Sequence, residues 1–292
     1  MIKNKPKAPV MIPAEKIHPF EGNPFKVTDN DEMNELIKSI TENGILEPLT
    51  VRPIENTDGE YEIIAGHRRY RAAQKAGLTE VPAFIRAVSR DEAAVMLVDS
   101  NLHRERILPS EKAFAYKLKM EALSHQGKRT DLTSSPVATK SDTAESIGIK
   151  ENISRDQVYR FIRLTFLIPE LLQFVDEGKI KMRPAVEMSY LGEETQRDIV
   201  DCIDENCGEV FPSHAQTRRI REQAENGGIS YEEVAAVMNE EKPNQVEKIK
   251  IPTEELRKRI GKNLTDEALI KYLYDAVDYY KKHLQRQREQ AR

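Results

Sequence analysis

Between positions 29 and 101 the apolar residues alternate between two kinds of spacing. Met33, Leu36, Ile37 and Ile40 recur every three to four residues, which predicts a helix over Asp29–Asn43 that Asn43-Gly44 brings to a stop. Leu49-Thr50-Val51 and Tyr61-Glu62-Ile63-Ile64 are short, apolar runs on either side of the turn Asn56-Thr57-Asp58-Gly59, and together they predict a β-hairpin. Gly66 ends the second strand. Helix formers run from His67 to Ala76, with Gly77 as the C-terminal cap. Val81–Val88 reads as another strand, and Ser89-Arg90-Asp91-Glu92 as the cap of a helix over Ala93–Asn101. Upstream, Lys3–Phe25 holds five prolines and predicts an extended arm with one short strand near Val10–Ile12.

After Pro109 the strand signal disappears. Ser110-Glu111-Lys112 opens a helix to about Ser124, and the Ser/Thr/Lys-rich stretch Gln126–Ser141 predicts a surface loop. From Asp142 to Ala224 the spacing is helical, with breaks expected at Gly148, Pro169, Gly178, Pro184, Gly192 and Pro212. Asn226-Gly227-Gly228 marks a linker. The tail from Leu264 carries apolar residues at 268, 269, 272, 273, 276, 277, 280 and 284, an amphipathic helix that a single isolated helix cannot bury.

Composition narrows the class. With 292 residues the chain is long enough for two or three domains, and 39% hydrophobic against 32% charged residues excludes wholesale disorder. No apolar run approaches the ~20 residues of a membrane span. The basic start, Met1 to Lys7, leads into no apolar segment, so no signal peptide is expected. Cys202 and Cys207 are the only cysteines, which disfavours a structural zinc site or a disulfide framework and suits a reduced cytoplasmic interior.

Net charge is −4, from 45 basic and 49 acidic residues, and as an average it speaks against a polyanion partner. The distribution reverses that. Ile63–Thr79 carries Arg68, Arg69, Arg71 and Lys75 with no acid, Ile147–Arg163 carries Lys150, Arg155, Arg160 and Arg163 against two acids, and Lys281–Arg292 carries five basic residues against one acid. Local charge is what a polyanion meets within a Debye length.

Two segments carry candidate chemistry. In Ile63-Ile64-Ala65-Gly66-His67-Arg68-Arg69-Tyr70-Arg71 a strand ends in Gly and a helix opens with arginines. Free N–H groups and guanidinium forks there suit a phosphate chain, although basic residues oppose the helix dipole at that end. In Ile147–Arg163, two short helical patterns (about Asp142–Ile147 and Arg155–Leu164) flank a Gly-containing turn, with Ser154 as N-cap. A helix-turn-helix needs this arrangement. Arg155 and Gln157 suit base edges, while Lys150, Arg160 and Arg163 suit backbone phosphates or internal pairing.

Taken in order, these segments resemble the ParB-type partition proteins. The likeness is carried by Asn23-Pro24-Phe25, Gly44–Val51, Ala65–Ala73, Ala76-Gly77-Leu78 with Val81-Pro82, Asn101-Leu102-His103-Arg104-Glu105, Leu108–Ala113, Ser154–Val158 with Ile162-Arg163-Leu164, and Ile168-Pro169 to Gly178-Lys179-Ile180, over roughly residues 10 to 200. It implies an α+β N-terminal domain of the ParB/sulfiredoxin-like kind over 1–108, an all-α helix-turn-helix domain over 109–225, and a helical C-terminal region over 226–292 that serves dimerisation.

The resemblance also implies a mechanism: binding of a centromere-like double-stranded DNA site, CTP with Mg2+ in the N-terminal domain, closure of a homodimer into a DNA clamp, and engagement of a ParA-type Walker ATPase. The nucleotide would fall on Gly44, Pro48, Leu49, Gly66, His67, Arg68, Arg69, Asn101 and Arg104, with Asn101 at the metal end. DNA would fall on Lys150, Ser154, Arg155, Gln157 and Arg160. His67 and Ser100 stand where the family usually has Glu, which predicts weak or absent CTP hydrolysis, and no Arg follows Phe25 at the family's usual place. A nucleoid-occlusion-type or transcriptional regulator uses the same parts. An NTP-dependent enzyme on this fold, with His67 as acid/base, is the alternative of another class. A sulfiredoxin-like activity is excluded, because its thiolate chemistry needs a cysteine and none precedes Cys202.

Overall fold

The computed structural model describes residues 8–104, 106–130, 140–206, 208–240, 260 and 265–290. It divides into two compact units, Met1–Glu240 and Glu241–Arg292. In the first, β1 (Val10–Pro13), β2 (Ile17–His18), β3 (Leu49–Pro53), β4 (Tyr61–Ala65) and β5 (Glu80–Ile85) form one mixed sheet in the order β1-β5-β3-β4-β2. The expected hairpin is β3 with β4, antiparallel and paired Val51 to Ile63. β5 lies parallel to β3, and β1 closes the far edge antiparallel to β5. Two residues suffice for β2, parallel to β4, and so short a strand carries no periodicity to read.

Alternation along β4 shows how the sheet is covered. Ile63 faces a core with Met33 and Ile40 of α1 (Asp31–Asn43) and Tyr70, Ala72 and Ala73 of α2 (His67–Lys75). Its neighbour Ile64 points to the other face, onto α3 (Arg90–Asn101). The α3 start is fixed by a full capping box, in which Ser89 accepts from the Glu92 N–H and Glu92 from the Ser89 N–H. This places the helix start three residues before Ala93. β5 ends at Ile85 rather than Val88, although the Arg86 N–H still donates to the Val51 carbonyl at 2.8 Å.

The second core is shared. α4 (Pro109–Thr130), α5 (Lys140–Glu151) and α6 (Arg155–Arg163) bring Ala115, Tyr116, Ala144, Ile147 and Val158 against Leu97 and Val98 of α3. Pro109 opens α4, and the Glu111 carboxylate accepts from the Leu108 N–H (3.1 Å) and from the Lys26 N–H (2.9 Å). The Ser110 N–H and hydroxyl both reach Asp176. α4 runs to Thr130, past the end expected near Ser124, because the ~1 kcal/mol cost of one helical glycine does not stop a run of helix formers. At the other end of the expected loop Lys140 and Ser141 belong to α5, and 131–139 lie outside the described residues, as do Lys3–Lys7, Glu105, Cys207 and Leu264.

A third core joins α7 (Pro169–Asp176), α8 (Met182–Met188), α9 (Glu193–Glu205), α10 (His214–Glu225) and α11 (Tyr231–Met238) through Leu171, Met188, Ile199, Ile220 and Val234. Two expected breaks are not breaks. Pro184 sits in the first turn of α8, where its missing N–H has no intrahelical partner to lose, and Gly148 lies inside α5. The Asn226–Gly228 segment is a turn that returns α11 to the same core. In the second unit, α12 (Asp266–Gln290) leaves Tyr272, Tyr274, Val277, Tyr279, Tyr280 and Leu284 exposed.

Candidate functional site

The start of α2 is built on a contact that only glycine permits. Gly66 takes φ 103° as β4 turns into the helix, and a Cβ there would meet Leu49 Cδ2 at 2.5 Å. Gly44, at φ 70°, turns the chain out of α1 into the 45–48 segment, with its N–H on the Ile40 carbonyl. Arg69 crosses from α2 to that segment: its Nη1 donates to the carbonyls of Glu47 and of Pro48 (3.0 Å) and lies 3.3 Å from the Glu47 carboxylate. It stitches Gly44–Leu49 to the helix start. Arg68 points toward α1, where it meets the exposed Glu32 carboxylate at 3.0 Å.

His67 does a different job from the phosphate contact or acid/base role expected of it. Its Nε2 accepts the Phe20 N–H at 3.3 Å, which requires a neutral ring. Burial pushes the imidazole down to about 4, and the nearby Arg104 charge adds to the shift. Arg104 itself is lowered by burial; Glu111 opposes that and Arg68 adds to it. The Arg104 guanidinium sits 5.6 Å from the centre of the Phe25 ring. Arg68, in the first turn of α2, and Arg104 are thus close enough for their guanidinium charges to act on each other, and an anion at the helix N-terminus relieves that repulsion. These residues fit a polyphosphate.

They do not fit a metal held by the protein. Asn101 is buried, with its Nδ2 donating to the Leu97 carbonyl at 2.7 Å, and the Ser100 hydroxyl donates to the same carbonyl at 2.9 Å. No group of three His, Cys, Asp or Glu suited to a metal occurs among the described residues. Mg2+ prefers an octahedral set of hard oxygens, and one carboxamide oxygen is a poor start.

The segment expected to hold a helix-turn-helix consists of α5 and α6, with the corner between them at Asn152–Ser154 rather than at Gly148. Asn152 adopts φ 55°, the Ile153 N–H closes on the Gly148 carbonyl (2.9 Å) and the Asn152 N–H on Ile149 (3.3 Å), a Schellman ending. Gly148 is needed because a Cβ there would lie 2.7 Å from the Ile153 carbonyl oxygen. Ser154 caps α6 by accepting the Gln157 N–H at 3.2 Å. Arg155 and Arg160 are exposed along α6, whereas Gln157 is half-buried and lines a cleft of about 610 Å³ with His103, Lys112 and Lys150.

Two of the basic residues are engaged within the chain. Arg163 donates to the Ser189 hydroxyl and carbonyl and stacks 3.8 Å from the centre of the Tyr190 ring, whose contact with Arg221 is 3.9 Å. Lys150 is paired with Asp99 on α3 rather than aligned with Arg155. Sequence reasoning did not single out Glu111, whose Pro-Ser-Glu opening was the available signal, or the lysine partners of Asp99, which are too distant in sequence to give one.

Residues 2–102 match the family model described as the ParB N-terminal domain. The chain is 30% identical over 257 residues to the chromosome-partitioning protein ParB of Myxococcus xanthus, covering 88% of this chain and 77% of that protein. It is 42% identical over 110 residues to a nucleoid occlusion protein of Geobacillus, covering 38% of each. Among solved structures, the C-terminally truncated ParB of Caulobacter crescentus is similar in its complex with the centromeric parS site (26% identity, 74% of this chain, 100% of that one, TM-score 0.40). It is also similar in its complex with CTP-gamma-S (27% identity, 66% and 99%, TM-score 0.32). Superpositions this loose add nothing to the sequence match.

Proposed function

This chain belongs to the ParB family, and from that premise we propose that it is a sequence-specific DNA-binding partition protein whose grip on DNA is gated by CTP. The observation that carries the nucleotide half is the placing of Arg68 and Arg104 at the glycine-opened start of α2. Arg68 and Arg104 supply charge to the phosphates, the α2 N–H groups supply donors, and Arg69 holds the Gly44–Leu49 segment that faces the base. CTP, when bound, supplies the negative charge this cluster lacks. Hydrolysis is slow, since a neutral His67 committed to the Phe20 N–H offers no carboxylate to orient water.

In this reading residues 1–108 hold the nucleotide and 109–225 hold DNA, through Arg155 at the exposed start of α6, Gln157 beside it, Arg160 on the backbone and Ser154 fixing the helix entry. Arg155→Ala then costs about 1–3 kcal/mol on the specific site and relaxes sequence preference. The active form is a homodimer paired through the tail, and a ParA-type Walker ATPase is its partner in segregation. A nucleoid-occlusion role is the second reading, favoured by the 42% match over 110 residues to such a protein.

Protection mapping on genomic DNA with and without CTP tests the proposal. Discrete protected sites that broaden with CTP support it; even binding with no preferred site, indifferent to CTP, overturns it.

A further inference from the structure

Asp99, two residues before Asn101 on α3, stands at a junction of three helices. Its Oδ1 meets Lys119 Nζ of α4 at 2.7 Å, and its Oδ2 meets Lys150 Nζ of α5 at 2.5 Å. Lys119 is almost wholly buried (3% of its side chain exposed), so its charge needs this carboxylate, with Glu151 further off at 3.9 Å. Lys150 is different: half of its side chain is exposed, and a flexible lysine in water is free to exchange one anion for another. Burial works to raise the Asp99 carboxyl, but hydrogen bonds from both lysines outweigh it and hold it below the usual range.

Lys150 lies at the end of α5, just before the corner that leads to Arg155, so a DNA backbone docked on α6 competes with Asp99 for it. We propose that Asp99 is a positioning residue that withholds Lys150 from DNA phosphates, so that backbone engagement by Lys150 requires breaking the α3–α5 tie. The inference rests on the DNA-binding reading above and makes Lys150 a switched contact rather than a standing one. Asp99 is two residues from the buried Asn101, whose carbonyl accepts the Arg104 N–H at 3.2 Å.

The test is the salt dependence of binding to a random-sequence DNA duplex, measured on the full-length protein. Each phosphate neutralised steepens the slope of log K against log salt by about 0.9. Asp99→Asn is expected to bind random duplex more tightly at low salt and to steepen the slope by about 0.9 per subunit. Lys150→Ala alone is expected to leave the slope near that of the wild type, and in the Asp99→Asn background to remove the gain. Asp99→Glu restores the wild-type slope. Should Asp99→Asn fold poorly, Asp99→Asn with Lys119→Met removes the buried charge together with its partner and is expected to give the same steepening. Equal slopes for Asp99→Asn and wild type, or a gain that survives Lys150→Ala, overturn the proposal. A wild type that does not bind duplex at all would instead overturn the DNA-binding reading itself.

Discussion

Gly66 rests on Leu49: the space a Cβ would need at position 66 is taken by Leu49 Cδ2, 2.5 Å away, while φ 103° bars an L side chain on backbone grounds as well. The start of α2 and the end of the 44–49 segment are therefore one packed unit. Gly66→Ala combines left-handed strain with overpacking and is expected to cost about 2–4 kcal/mol, read by urea denaturation. Leu49→Ala in the same chain relieves the clash but not the strain, so the pair is expected to be non-additive, with part of the loss recovered. Strict additivity would mean the two residues do not touch.

His67 makes stability depend on pH in a definite direction. Its folded value of about 4 lies below its ordinary 6.5, so at acid pH the unfolded chain takes up a proton that the folded chain refuses. This contribution is fully present above about 6.5 and is lost as pH falls toward 4. It amounts to a few kcal/mol, because each tenfold change in proton affinity is worth about 1.4 kcal/mol. His67→Gln keeps an acceptor for the Phe20 N–H and does not titrate. Its stability is expected to be flat between pH 5 and 6.5 (roughly the upper part of that window), where the wild type declines. Parallel curves for the two proteins would show that His67 is ordinary.

What was legible in the sequence had local signals. The β3–β4 hairpin was announced by Asn56–Gly59 between two apolar runs, and the α2 start by Gly66 before a run of basic residues. The arginines' roles were less legible, because a guanidinium's partner is set by the fold: Arg69 reaches back 21 and 22 positions to Pro48 and Glu47. The neutral state of His67 depends on Phe20, 47 residues away, and the Asp99 junction spans 20 and 51 positions. Gly148 misled for a physical reason. A glycine marks a place where a side chain is barred, and here the obstacle is the Ile153 carbonyl packing onto a helix, not a turn at Gly148 itself.

If the α2 cluster holds a triphosphate, the two charges it offers are unequal. Arg68 must leave the exposed Glu32, whereas Arg104, exposed and set against the Phe25 ring, has no carboxylate within ion-pair distance to give up among the described residues. Arg68→Ala and Arg104→Ala are each expected to weaken CTP by about ten- to a hundredfold, the loss of one charged hydrogen bond at ~1.5–3 kcal/mol. Glu32→Gln is expected to tighten it modestly by freeing Arg68. Only Arg104→Ala should also raise the His67 imidazole, since the nearby positive charge that depresses it is gone; a proton NMR titration of that ring reads this separately. Unchanged calorimetric affinity in both arginine variants would place the phosphates elsewhere.

Self-association tests the tail, but the cut must respect the core. α11 is bound into the first unit, with Val234, Val237 and Met238 buried and Gln216 Nε2 donating to the carbonyls of Val237 (2.8 Å) and Met238 (3.1 Å). A chain ending at Gly227 removes that helix, leaves Ile220 without its cover, and is expected to melt earlier than the full chain. A chain ending at Glu240 removes only the second unit and is expected to keep the thermal transition of the first. The stripe through Tyr272, Val277, Tyr280 and Leu284 is exposed on α12, and a second α12 packed on it removes that apolar surface from water. Val277→Glu puts a charge into that stripe and is expected to raise the dimer dissociation constant to nearly that of the chain ending at Glu240, measured by sedimentation equilibrium. A Glu240-terminated chain that dimerises as tightly as the full chain would move the dimer contact into the first unit.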